Sequence, residues 1–297
     1  MNVLSLFDGM SCGQIALNKL GKNVDNYFAS EIDKYAIQIT QKNFPNTIQV
    51  GDVTKLNTSN LPEIGILIGG SPCQSFTFAG KRQGMSTKDK IDILSLNQYL
   101  KMKEDGFEFE GESYLFWEYM RILTEIKPKY FLLENVKMEK KWKKVFSDVI
   151  GRDPIFINSN SFSPQNRQRY YWTNIPVDDY TDNTETLKDI ILDNVDKKYD
   201  LSYQHHQAFL KSYKWKHNDI NTKSKPLLAT YYKQPPHCPY IIREGSPSGY
   251  RRLIPLECER LQTVPENYTE GISDTQRYKM LGNGWTVDVI AHILKNI

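Results

Sequence analysis

The 297-residue chain is short of the features that mark several protein classes. It has four cysteines, Cys12, Cys73, Cys238 and Cys258, widely spaced and without a C-x-x-C pair. A disulfide framework is therefore not expected. No zinc or other metal site is expected either, although His237 and Cys238 are adjacent. No apolar run approaches the roughly 20 residues that cross a bilayer. The opening MNVLSLFDGM has no basic stretch followed by a long apolar one, so no signal peptide is expected and the cytoplasm is the default location. The glycine fingerprint G-x-G-x-x-G is missing, which disfavours a nicotinamide oxidoreductase. Net charge is only +3, with 39% hydrophobic and 25% charged residues, the balance of an ordinary globular protein. A monomer is the default state.

The charge is unevenly spread. Residues 195–252 hold eleven Lys/Arg against four Asp/Glu, a local +7, while the rest of the chain nets −4. A basic segment on a mildly acidic body suits a polyanion partner, and a solvated lysine surface is the plain alternative.

The first half alternates apolar strands with helical periods. Strands are expected at 3–7, 26–32, 48–50, 64–68 and 130–133. Helices are expected at 13–20, stopped by Gly21, at 34–43, ended before Pro45, and from Ser113 to Pro128. This rhythm predicts a doubly wound α/β domain with a parallel sheet, whose ligand lies at the carboxyl ends of the strands. After about Pro176 the rhythm fades. Residues 178–275 read as a smaller, mostly β or irregular domain, with a strand-like run at 227–232. The amphipathic segment 285–294 returns to the first domain, which is then discontinuous, 1–177 plus 276–297. Residues 86–110 are too long for an ordinary connection and read as a substrate-facing flap or a surface excursion.

The strand ends carry the chemistry. The first opens into Phe7-Asp8-Gly9-Met10-Ser11-Cys12-Gly13, a turn that lets a ligand approach the backbone. Glu31 follows Gly9 by 22 residues, where a carboxylate grips ribose hydroxyls, and Asp52 ends the third strand. Together they suit an adenosine cofactor without a pyrophosphate; singly each is ordinary turn chemistry. The fourth strand delivers Cys73 between Pro72 and Gln74, after Gly69-Gly70. A lone cysteine is commonly structural, but this one sits on a shaped loop at a ligand edge. The fifth strand delivers Glu134, an acid closing an apolar run, a placement that suits a proton donor. Arg167 and Arg169 are two apart, so on a strand they share a face and suit an anion, with structural ion pairing as the alternative.

In order, these motifs resemble those of the cytosine-5 DNA methyltransferases. The match runs through Phe7-Asp-Gly9, Glu31, Gly51-Asp52-Val53, Gly70-Ser-Pro-Cys-Gln74, Glu134-Asn135-Val136 and Gln165-x-Arg167-x-Arg169. It continues in Arg252-Leu-Ile-Pro-Leu-Glu-Cys-Glu-Arg-Leu-Gln262 and ends in Leu281-Gly-Asn-Gly-Trp285. The FDG turn, the RQRYYWTNIP stretch and the LGNGWTV ending look most like the animal de novo enzymes; the compact chain, with no separate reader domain, resembles a bacterial or phage enzyme. The sequence departs from the family pattern at Glu112-Ser113, where an Arg-Gly pair is usual.

The resemblance implies a Rossmann-like domain that binds S-adenosylmethionine, releases S-adenosylhomocysteine and acts on a cytosine flipped out of duplex DNA. Cys73 would attack carbon 6 and Glu134 would bind the ring edge. Arg167 would face the base carbonyl, with Arg169 in support. Phe7, Asp8, Gly9, Met10, Ser11, Cys12, Gly13, Glu31, Ile32, Asp52, Val53 and Pro72 would hold the cofactor, with Asn283 and Trp285 closing its pocket. Residues 178–275 would be the target-recognition domain. Candidate DNA contacts are Gln74, Ser75, Lys81 and Arg82 on the thiol loop, and Lys223, Lys225, Thr230, Lys233, Arg243, Arg251 and Arg252 beyond it. A restriction endonuclease for the same site is a possible partner. Transfer-RNA cytosine methylation, which ENVK at 134–137 also suits, and a non-catalytic DNA-binding relative are the alternative readings.

Overall fold

A computed structural model describes residues 1–73, 76, 85–211 and 216–297. The apolar runs form a seven-stranded sheet. In chain order its strands are β1 (Val3–Leu6), β2 (Tyr27–Ser30), β3 (Ile48–Gln49), β4 (Ile66–Gly70), β5 (Tyr130–Val136), β6 (Ile155–Asn158) and β7 (Gln168–Thr173). In space the order is β3-β2-β1-β4-β5-β7-β6. Strands β1 to β5 are parallel, and β7 is antiparallel to both β5 and β6. The order reverses between β1 and β4, so a crevice opens at their carboxyl ends, where ligands bind in such sheets.

Alternation along each strand feeds two cores, one on each face. Val3, Ile66 and Ile68 face one, with α1 (Cys12–Lys19) and the last helix packed over them; Leu4, Leu6 and Leu67 face the other. The remaining helices are α2 (Lys34–Asn43), α3 (Leu96–Glu104), α4 (Phe116–Ile126), α5 (Lys140–Ile150), α6 (Tyr203–Leu210), α7 (Pro255–Leu261), α8 (Asp274–Asn283) and α9 (Val287–Leu294). A two-stranded sheet joins β8 (Tyr240–Ile242) to β9 (Tyr250–Arg252). No helix among the described residues is long and apolar enough to cross a membrane.

The structure decides three points of that reading. Of the two readings of residues 86–110, flap or surface excursion, the excursion fits: the stretch carries α3 and packs on α4. Tyr99 on α3 donates its hydroxyl to Glu118 of α4 at 2.6 Å, and that buried carboxylate also holds Lys103 and Arg121. Leu227–Tyr232 is not a strand. Leu227 gives its N–H to Gln165 and its carbonyl to Arg167, which leaves no backbone edge to pair. Residues 255–275, expected in the smaller unit, bond to both parts: Glu257 holds Arg251 and the Leu192 N–H, and Arg260 holds the Ile190 carbonyl. Gln262 donates to the carbonyls of Leu281 and Gly284 and accepts from Thr286.

Candidate active site

The first sheet turn is strained. Phe7, Gly9 and Ser11 all have positive φ, 57°, 59° and 65°, an arrangement that persists only when its surroundings impose it. They do. The Gly9 N–H donates to Glu31 at 2.7 Å, the Ser11 hydroxyl to Asp8 at 2.6 Å and the Tyr27 hydroxyl to Asp8 at 2.8 Å. Above Gly9 lies open space. The other Glu31 oxygen receives the N–H groups of Ile32 and Asp33. Next to it Ile32 is 75% exposed, an apolar surface at a strand end. Asp52 caps a short turn through one oxygen, at 2.9 Å from the Thr54 N–H. An open glycine turn, a carboxylate, an exposed apolar side chain and a second acid fit a nucleoside. Met10, Cys12, Gly13 and Val53 are buried beneath this turn. Gly13 is there for packing, since a Cβ would stand 2.3 Å from Ile68.

Burial pushes the Asp8 carboxyl from the ordinary 3.8 up to about 6, against the two hydroxyls that donate to it. An acid raised on folding favours the fold below its unfolded value and loses that contribution as pH rises through the folded one. The window is therefore about pH 4 to 6. Compared with Asp8→Asn, the wild type is expected to lose about 2 kcal/mol between those limits. Urea denaturation across this range measures it; parallel curves for the two proteins would refute it.

Three of the four cysteines are buried; Cys73 alone is partly exposed. Burial raises the Cys12 and Cys238 thiols to about 12 each, which leaves them inert at neutral pH. Cys73 follows β4 on a loop tied to the next strand: the Asn135 side chain donates to the Ser71 carbonyl at 3.1 Å and to its hydroxyl at 3.0 Å. Burial also raises the Cys73 thiol, with Arg169 and then Arg167 opposing and Glu134 adding to it. Glu134 stands beside Gly70 in the β4–β5 register. Its two oxygens receive Arg169 Nε at 2.7 Å and Trp285 Nε1 at 3.0 Å. A thiol, an acid and a guanidinium thus meet at the crevice.

The model of the C-5 cytosine-specific DNA methylases matches residues 1–297. This chain belongs to that family. It is similar to the Type II methyltransferase M1.ScrFI of Lactococcus lactis subsp. cremoris, 30% identical over 99% of this chain and 77% of that one. It is also similar to the Type II methyltransferase M.NlaX of Neisseria lactamica, 27% identical over 99% and 95%. The crystal structure of the S. pombe Dnmt2 methyltransferase shares the fold, with a TM-score of 0.75 at 16% identity over 99% and 97% of the two chains. The sheet is thus the Rossmann-like sheet of the methyltransferases, and the protein is a DNA cytosine-5 methyltransferase.

In this methylase the two arginines have different surroundings. Arg167 precedes β7 and is buried, donating to the carbonyls of Leu227 at 2.9 Å, Gly282 at 3.0 Å and Gly284 at 2.9 Å. Burial, with Arg169 nearby, pushes its pKa down to about 9, so it stays cationic at neutral pH. Its guanidinium is spent inside the protein, whereas Arg169 holds Glu134. Trp285, expected at the cofactor pocket, touches the acid; Asn283 is exposed and Pro72 partly buried. No local signal marks the Trp285 contact, because 151 residues separate the partners.

Several expected DNA contacts are internal. Arg251 is buried against Glu257, at 2.8 Å on both oxygens. Arg243 pairs with Asp200 at 2.8 Å. Arg252 lies over the rings of Tyr199 and Tyr278 at 5.4 and 5.3 Å. Lys223 donates to the Asn183 carbonyl at 2.7 Å, and Lys225 to the carbonyl of Lys216. Short polar loops without a ladder need such side chains to satisfy their carbonyls. Thr230 and Lys233 are exposed. Gln74, Ser75, Lys81 and Arg82 lie outside the described residues.

Proposed function

We propose that Cys73 is the nucleophile and Glu134 the acid of this methyltransferase. The observation that carries it is the meeting of the one partly exposed cysteine with Glu134 and Arg169 at the crevice of the sheet. The Cys73 thiolate adds to carbon 6 of cytosine while Glu134 donates its carboxyl proton to N3, which takes up the displaced electron pair, and accepts a hydrogen bond from the exocyclic amino group. S-adenosylmethionine, when bound, supplies an electrophilic methyl group for carbon 5. Loss of the carbon 5 proton then expels Cys73 and restores the 5,6 double bond. Carbon 6 is closed to attack inside a duplex, so the base must be flipped out. Arg169, two residues beyond Arg167, is the arginine suited to the base carbonyl. Glu31 is suited to the ribose diol, Ile32 to the adenine face and Asp52 to its amino group, with Phe7 and the backbone of residues 9–13 around the rest.

Residues 178–275 serve as the recognition unit, with Thr230 and Lys233 as its exposed candidates for DNA. Phosphate contacts supply most of the affinity and base-edge contacts the sequence choice. The names of the bacterial relatives support a companion restriction endonuclease, and with it a cytoplasmic setting.

The test is incubation with methyl-tritiated S-adenosylmethionine and either a mixed-sequence duplex or transfer RNA, followed by digestion to nucleosides. Label in 5-methylcytosine from the duplex is expected. Label confined to transfer RNA, or a protein that binds dinucleotide and not S-adenosylmethionine, would overturn the reading.

A further inference from the structure

We propose that Trp285 is a positioning residue for the catalytic acid: its indole N–H holds one oxygen of Glu134, and so fixes the plane in which the carboxylate meets the base. The proposal rests on the acid role of Glu134. Trp285 Nε1 lies 3.0 Å from Glu134 Oε2, and Arg169 Nε lies 2.7 Å from Oε1. Each oxygen therefore has one donor, and rotation of the carboxylate would break both bonds. Each oxygen has a further lone-pair site, open to the amino N–H of a cytosine or to a proton that the carboxyl donates to N3.

The contact is built from both sides. Gly70, paired with Glu134 across β4 and β5, leaves the space for it. A Cβ at Gly70 would stand 2.9 Å from Trp285 Nε1 and 3.0 Å from Glu134 Oε2. The backbone around Trp285 is pinned as well. Arg167 holds the Gly284 carbonyl at 2.9 Å, and Gln262 accepts the Thr286 hydroxyl at 2.9 Å. A Cβ at Gly284 would meet Met10 at 2.9 Å and the Cys12 thiol at 3.3 Å, so this segment is seated on the first glycine turn. A fixed indole whose only polar atom is spent on the acid is a device for orientation. It also joins the cofactor turn to the group that handles the base. A tryptophan serving only as a pocket wall has no use for that bond.

The two roles separate in one reaction. Addition of Cys73 to carbon 6, with Glu134 engaged at N3, lets the carbon 5 hydrogen exchange with water even when no methyl group is available. A duplex tritiated at cytosine carbon 5 therefore reports the acid without the cofactor. Trp285→Phe keeps the ring and loses the N–H. It is expected to bind S-adenosylmethionine within about twofold of wild type by calorimetry. Its tritium release should be about 10- to 100-fold slower, the effect of one lost bond to a charged group. Gly70→Ala keeps both polar groups and forces them apart, so it should slow release in the same way and decides the matter where the phenylalanine variant is poorly folded. Wild-type release from both variants, with weakened S-adenosylmethionine binding in Trp285→Phe, would overturn the proposal and leave Trp285 a cofactor wall. A wild-type protein that neither releases tritium nor methylates would instead overturn the acid role of Glu134, and the proposal with it.

Discussion

Replacing Cys73 by alanine is expected to remove methyl transfer, by a factor of about 10⁴ or more, while the protein stays folded and binds S-adenosylmethionine normally. The size follows from covalent chemistry. Without the adduct at carbon 6, carbon 5 has no electron density to offer, and nothing else at the site replaces a bond-forming group. The protein stays folded because Cys73 is only partly buried. Its loop is held by Asn135 through the backbone and hydroxyl of Ser71, neither of which the variant touches. Cys12, Cys238 and Cys258 offer no substitute, because each is buried with its thiol raised. Label transfer to duplex DNA, run beside calorimetric binding of the cofactor, checks both halves. Residual methylation within tenfold of wild type would mean another nucleophile.

The second large effect is on stability. Arg167→Ala is expected to unfold the protein more easily by about 3–5 kcal/mol, lowering the melting temperature by roughly 10 °C. Of the three carbonyls that now share one guanidinium, those of Leu227 and Gly282 would be stranded and that of Gly284 left to Gln262 alone. Leu227 lies in an irregular segment and Gly282 in the last turn of α8, where carbonyls lack an intrahelical partner, so each unmet acceptor carries its desolvation cost. Arg167→Lys should recover only part, because a compact ammonium cannot span three carbonyls as a planar fork does. Arg169→Ala should behave in the opposite way. It removes a partner of Glu134 at the crevice edge, so turnover should fall about 100-fold with little change in melting temperature. Thermal denaturation of the three variants beside their rates tests this division of roles. A stable Arg167→Ala with low turnover would restore the order first expected, with Arg167 at the base.

The same pair of arginines shows what kind of information each level holds. Continuous apolar runs and helical periods, punctuated by Gly21, Pro45 and Pro128, determined the five parallel strands and most of the helices between them, because burial on both faces of a strand admits little else. Once those strands existed, their carboxyl ends had to carry Asp8, Glu31, Asp52, Cys73 and Glu134 to one edge. The site was legible for that reason. Secondary structure fixes where a strand ends, and a doubly wound sheet puts all such ends together.

Strands β6 and β7 and helix α5 were not read from the sequence; the failures at the site are long-range. Arg167 and Arg169 look alike locally, and which of them reaches the site depends on carbonyls 60 to 117 residues away. Most of the excess positive charge at 195–252 looked free to meet DNA. Much of it instead satisfies loops that have no ladder of their own, as Arg251 does on Glu257 and Arg243 on Asp200. Trp285 came to the acid only because Gly70 leaves room and Arg167 fixes the backbone before it. The sequence by itself determined the five parallel strands, the chemistry at their ends and the family. Only the tertiary structure decided which side chains are spent inside and which face a ligand. Hydrogen-bond partners in irregular segments are chosen by packing across the whole chain, and no local spacing encodes them.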